Sequence, residues 1–253
     1  MGELIRGKKP LAEGKTKIIY PHEDEDKVIL LFKNDITALD GLKRDVIPGK
    51  GYINAYITKH LFQLLEESSI PTQFVEYIFP NIVVAKKIQM LPVEVVCRNI
   101  AAGHLIKSFP MLKNGQELKM PIIEFFYKCD ELHDPLMNEY HLQILDLASY
   151  NEITQIKEYT LKANRVLREF FKSRGLIFVD FKIEFGRVRQ DQVVIGDELN
   201  GDSMRLWASP NGKEAFDKDG YRGGDSLETV RRTYIETFKI ITGEEPVEEG
   251  LES

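Results

Sequence analysis

The chain has 253 residues, 43% hydrophobic and 29% charged, with a formal net charge of −6. That length suits one large domain or two small ones, and the composition supports a buried core. The negative balance speaks against a general nucleic-acid coat but leaves room for a local cationic pocket.

There is no run of about 18 apolar residues, and the first residues lack an apolar segment, so neither a membrane span nor a signal peptide is expected. Cys97 and Cys129 are too few for a disulfide framework and point to reduced thiols in a cytoplasmic protein.

Residues 11–20 and 27–33 read as two strands joined by a charged turn. Gly14 beside Lys15 and Lys17 could cradle a phosphate, since glycine admits backbone N–H groups to an anion and lysines add charge. A surface strand with two solvated lysines explains the same residues. The P-loop and dinucleotide glycine patterns are absent. Residues 34–51, with Asp35, Asp40, Gly41 and Pro48, read as a loop: either a lid or a long surface connection. Residues 52–67 read as a core helix with its stripe at Ile53, Ile57, Leu61, Leu64 and Leu65.

Residues 82–88 and 92–98 read as apolar strands, with Gln89 to Pro92 as the link between them. Arg98 then precedes a small-residue turn. It suits either an anion site, through its guanidinium fork, or an ion pair with Glu94. Residues 105–148, with three prolines, read as irregular; His133 and His141 lack the spacing of a zinc site. Ser149 and Glu152 form a capping box that opens a helix through Lys172, with Gly175 as its stop.

The segment from Gly175 to Gly186 is the most informative. Ile177, Val179, Phe181, Ile183 and Phe185 would share one face of a strand, and Asp180, Lys182 and Glu184 the other. The charged face is either solvated or the wall of a polar cavity. A two-residue turn at Gln190 and Asp191 would set Glu184 opposite Asp197, with Cβ atoms about 4.5–5.5 Å apart. Two carboxylates that close repel unless a cation lies between them, and magnesium is typically held by one or two carboxylates plus phosphates. A polar turn with Asp202 and Arg205 follows, then a charged loop with Lys218, Asp219 and Arg222. A helix over 227–242 and an acidic, frayed tail over 243–253 complete the chain.

Four segments, Glu13 to Lys17, Leu91 to Gly103, Val179 to Gly186 and Gly196 to Trp207, together resemble the SAICAR synthetase (phosphoribosylaminoimidazole-succinocarboxamide synthase) family. Asp35 to Gly41 and His133 to Glu139 fit the same pattern, and the likeness runs over about residues 10–240. The resemblance implies an α+β fold: an antiparallel N-terminal sheet lobe (1–90) over a larger α/β part (91–253), with ATP in the cleft. It implies an ATP- and Mg²⁺-dependent ligase joining L-aspartate to carboxyaminoimidazole ribonucleotide (CAIR), acting on small molecules rather than nucleic acid or membrane, as a homodimer or larger homo-oligomer.

By the same resemblance, Lys15, Thr16, Lys17 and Lys86 contact ATP phosphates or their surroundings, Met90 is the adenine hinge, and Glu184 and Asp197 hold the metal. Arg98, His104, Asp202, Arg205, Asp40 and Arg222 contact substrate, and Lys182 and Asp180 belong to the catalytic centre. The chain departs from the pattern at His104, where serine is usual, at Gly220, where an arginine is usual, and at Gly201, where proline is common. A kinase on the same scaffold and a non-catalytic nucleotide-binding module are the rival readings.

Overall fold

The computed structural model describes residues 2–38, 42–188, 192–209 and 215–252. After a short helix α1 (Gly2–Ile5) come β1 (Ala12–Glu13), β2 (Lys17–Pro21) and β3 (Lys27–Phe32). Next are the small hairpin β4 (Asp35–Ala38) and β5 (Lys43–Val46), the helix α2 (Lys50–Glu67), and the pair β6 (Phe74–Ile78) and β7 (Ile82–Lys86). The first sheet has the order β1-β2-β3-β7-β6, all antiparallel. Helix α2 covers it with the expected stripe: Ile53, Ile57, Leu61 and Leu65 are buried.

The rest of the chain comprises β8 (Gln89–Ile100), α3 (His104–Ser108), β9 (Glu117–Tyr127), β10 (Leu136–Met137), α4 (Glu139–Ile144) and α5 (Tyr150–Lys172). It continues with β11 (Ile177–Val188), β12 (Gln192–Gly196), β13 (Met204–Trp207), α6 (Asp219–Gly223), α7 (Leu227–Thr242) and α8 (Glu248–Leu251). The second sheet runs β10-β9-β8-β11-β12, and β13 pairs with the first half of the long β11. Helix α5 opens on the expected capping box, with Ser149 Oγ accepting from Glu152 N–H and Glu152 accepting from Ser149 N–H.

The two sheets are joined where Gln73 N–H donates to the Ile195 carbonyl (2.9 Å) and Ile195 N–H donates to the Pro71 carbonyl (3.0 Å). One apolar cluster also runs through both, from Leu30 and Val83 to Val95, Phe181 and Ile195. The α+β architecture with antiparallel sheets is as expected. The anticipated boundary at residue 90 falls inside β8.

Four local expectations change. Residues 89–92 are not a link but the first residues of β8, with Met90 opposite Gly186; Pro92 sits where the register shifts, so its missing N–H leaves no gap in the ladder. The irregular stretch contains β9, an eleven-residue strand whose Pro121 lies at another register shift. The loop over 34–51 contains the β4–β5 hairpin, whose tip, with Asp40, lies outside the described residues. The acidic tail is docked, with Gly250 buried against the Tyr52 ring and Val247 N–H donating to Tyr52 Oη (3.3 Å).

Candidate active site

The charged row of β11 faces the interior of a cleft. Asp180 and Glu184 are each 3% exposed, which excludes the solvated-face reading. Register places Arg98 and Arg205 opposite Asp180 and Glu94 opposite Glu184. Like charges opposed across a ladder are unfavourable. Two lysines offset the Glu94–Glu184 pair: Lys182 Nζ lies 2.6 Å from Glu94, and Lys128 Nζ lies 2.6 Å from Glu184.

Glu184 does not oppose Asp197. It pairs with Gly196, and Val188 pairs with Gln192, so three residues rather than two separate the paired ends. The positions assigned to that turn, Gln190 and Asp191, lie outside the described residues. The two carboxylates are still near enough to interact electrostatically, and Asp197 follows the last paired residue of β12 in a left-handed conformation (φ 59°). Burial, and then Asp197, push Glu184 up to about 7 against the pull of Lys128 and Lys182. Burial also works against ionised Asp197, but Lys17 and Lys182 outweigh it and hold the group below its ordinary value. Lys17 Nζ is 2.9 Å from both Asp197 and Glu198, and Gln73 donates to the Asp197 carbonyl (3.0 Å).

These two carboxylates are hard oxygen donors in mutual repulsion. Among the described residues no group of three or more acidic, histidine or cysteine side chains is placed to hold a metal. A pair suffices for magnesium when phosphate oxygens complete the shell, so the donor set fits that ion.

The other end of the row is an arginine seat. Arg98 binds Glu124 through Nε and Asp180 through Nη1 (2.9 Å). Arg205 binds Asp219 through Nε (2.8 Å) and Asp180 through Nη1 (2.9 Å). Among the described residues neither Nη2 carries a hydrogen bond, so each fork keeps donors for an anion. Gly103 lies against this seat: its φ is +56°, and a Cβ there would come within 2.8 Å of Arg205 Nη2. The Arg98–Glu94 ion pair does not form, because residues four apart on a strand are about 13 Å apart.

Asp202, 4% exposed in its side chain, is held by Lys50, Asn54 and Tyr234, with Lys218 at 3.9 Å. Burial works against its charge, but Lys50 and Lys218 hold it far below the usual carboxylate range.

A cavity of about 370 Å³ is lined by Lys15, Arg98, His104, Asp180, Lys182, Asp202, Arg205, Lys218 and Arg222. A larger one, about 710 Å³, borders α5 near Trp207 and contains none of the expected site residues.

The SAICAR synthetase family model matches residues 10–240. The chain belongs to the SAICAR synthetase family. It is 47% identical over 232 residues to a phosphoribosylaminoimidazole-succinocarboxamide synthase of Sulfurisphaera tokodaii, covering 92% of this chain and 97% of that one. The enzyme of the same name from Methanocaldococcus jannaschii is 46% identical over 220 residues, 87% of this chain and 90% of the other. Among solved structures, a SAICAR synthetase in complex with ADP superposes with a TM-score of 0.87 at 42% identity, over 93% of this chain and 99% of that one. The SAICAR synthetase of Pyrococcus horikoshii gives 0.83 at 41% identity, over 91% and 99%.

The remaining expected residues of this SAICAR synthetase family member spread around the cleft. Thr16 Oγ1 donates to Glu198 (3.4 Å), and Lys15 reaches Asp130 (2.8 Å) at the rim. Met90 lies against Gly196 and is 39% exposed. Lys86 Nζ donates to the Thr72 carbonyl (2.8 Å). His104 Nδ1 meets Ser108 Oγ (3.3 Å), and Arg222 pairs with Asp219. Sequence reasoning missed Lys50, Glu124, Lys128, Glu198 and Tyr234. Their only signal was a charged or polar residue in an otherwise apolar or unassigned stretch.

Proposed function

We propose that this protein uses ATP to join L-aspartate to the carboxylate of CAIR, giving SAICAR, ADP and phosphate in purine biosynthesis. The observation that carries the reading is the division of one buried strand face. Asp180 sits between two arginines at one end, and Glu184 nears a second carboxylate at the other.

A carboxylate is a poor electrophile, so the CAIR carboxylate must be activated. Its oxygen attacks the γ-phosphorus of ATP, ADP leaves, and an acyl phosphate forms. The aspartate amine then attacks the acyl carbon and phosphate departs. The protein's work is positioning and neutralising charge on the transferred phosphoryl group. Lys15, Thr16, Lys17 and Lys86 belong to the nucleotide side, with Met90 as the adenine hinge. Lys182 lies between the two ends, beside the reacting carboxylate, and Asp180 orients the arginines. Arg98, Arg205 and His104 hold the ribonucleotide phosphate, while Asp202 and Arg222 face the remaining substrate; Asp40 belongs to the closing loop. Glu184 and Asp197 would hold Mg²⁺, which would neutralise phosphate charge.

In this reading residues 1–90 form the nucleotide lobe and 91–253 the substrate- and metal-binding part of a cytoplasmic homodimer or larger assembly. No described helix is long and apolar enough to cross a membrane. The test is a product assay with ATP, CAIR and L-aspartate, omitting each in turn. SAICAR should form only with all three, one ADP per amide. Steady ADP release that needs no aspartate would instead identify a kinase or ATPase.

A further inference from the structure

The basic side chains around the substrate cavity differ in one respect. Lys15, Arg98, Lys182, Arg205 and Arg222 each have a carboxylate oxygen within hydrogen-bonding distance. Lys218 has none among the described residues: its Nζ stands 3.9 Å from Asp202 Oδ1, although its side chain is only 10% exposed. Among the described residues it donates no side-chain hydrogen bond. The Asp202 carboxylate is already engaged, by Lys50 and Asn54 on Oδ2 and by Tyr234 on Oδ1.

An ammonium buried without a hydrogen-bond partner is costly, whereas a neutral amine is less so and offers a lone pair. Burial, Lys50 and Arg222 disfavour the charged form, while Asp202 and Glu198 favour it; the balance holds Lys218 below the ordinary lysine value. The cavity it lines also contains Arg98, Arg205 and Lys182, the residues assigned to the ribonucleotide and its carboxylate.

We propose that Lys218 Nζ is the proton acceptor for the incoming aspartate amine. The proposal rests on the ligase reading above. Aspartate arrives as an ammonium, whose nitrogen has no lone pair for attack. Lys218 in its amine form removes one proton, and the freed nitrogen pair forms the bond to the acyl carbon. The carbon–oxygen bond to phosphate then breaks, with its electrons leaving on phosphate. The second nitrogen proton passes to that phosphate, giving hydrogen phosphate, and Lys218 later returns its proton to solvent.

The test compares wild type, Lys218→Arg and Lys218→Met with ATP and CAIR, offering either L-aspartate or hydroxylamine. Hydroxylamine is neutral near pH 7, so it captures an acyl phosphate as a hydroxamate without needing a proton acceptor before attack. Both variants should lose kcat for aspartate by about 100-fold or more, in line with general-base contributions. Hydroxamate formation should stay within about threefold of wild type, which also shows that the variants are folded. In Lys218→Arg the ascending limb of kcat for aspartate should move to higher pH, towards the ionisation of the aspartate amine itself.

Amide synthesis rescued by Lys218→Arg would mean that positive charge alone is needed, and would overturn the proposal. So would parallel loss of both products, or a raised KM for aspartate at unchanged kcat. Wild-type protein that makes neither product would overturn the ligase reading itself.

Discussion

The two ends of the charged face of β11 solve the same problem, burying carboxylates, in opposite ways. At Asp180 the countercharges are arginines set between three acids, with Arg98 and Asp180 each 5% exposed in their side chains. At Glu184 they are lysines whose side chains stay open, 42% exposed for Lys128 and 36% for Lys182. A planar guanidinium engaged on two sides makes a fixed seat, which suits a substrate group that is bound but not altered. A lysine on a flexible stem can follow a phosphate that is transferred. The difference separates a rigid arginine seat from an adaptable lysine end along one strand.

The largest effect should come from breaking the rigid end. Arg98→Met would leave Glu124 and Asp180 short of a buried partner, so the folded state should lose about 3–5 kcal/mol in urea unfolding. A loss under about 1 kcal/mol would show that the seat is not a structural unit.

A middle-sized effect is expected from pH at the adaptable end. Glu184 must be ionised to hold a cation, and its folded value is raised from 4.5 to about 7. Protonation therefore competes with the metal, and Mg²⁺-dependent ADP binding should weaken by about tenfold per pH unit below that value. Lys128→Met removes a group that pulls Glu184 down, so the midpoint should move to higher pH. The same shift fixes a stability sign. Because the folded value exceeds the unfolded one, Glu184 contributes stability below about 4.5 that is lost as pH rises through about 7. Thermal melts of the ligand-free protein and of Glu184→Gln check it.

The smallest effect belongs to the rim. Lys15 and Asp130 are 43% and 72% exposed in their side chains, so Lys15→Ala should change stability by less than about 1 kcal/mol. A larger loss would place that lysine with the buried network.

The sequence made the strand legible and left its neighbours obscure. Alternation over Ile177 to Phe185 showed which side chains share a face, because period two is local. The capping box at Ser149 was local too, and the helix began there. The register at Glu184 was one residue off, because hairpin register depends on loop length and the loop carries no strong turn signal. Strand β9 was hidden by Pro121, which reads as a breaker unless one knows that a bulge accommodates it. Arg98 could not be paired correctly, because Glu124 and Asp180 are distant in sequence and only the sheet brings them together. Tyr234 and Lys50 reach Asp202 from two separate helices for the same reason.

The most direct test of the carboxylate pair is calorimetric titration of ADP with and without Mg²⁺, in wild type, Glu184→Gln and Asp197→Asn. Mg²⁺ should tighten ADP binding to the wild type, and either substitution should erase this gain while leaving metal-free binding in place. A magnesium gain that survives both substitutions would contradict this expectation.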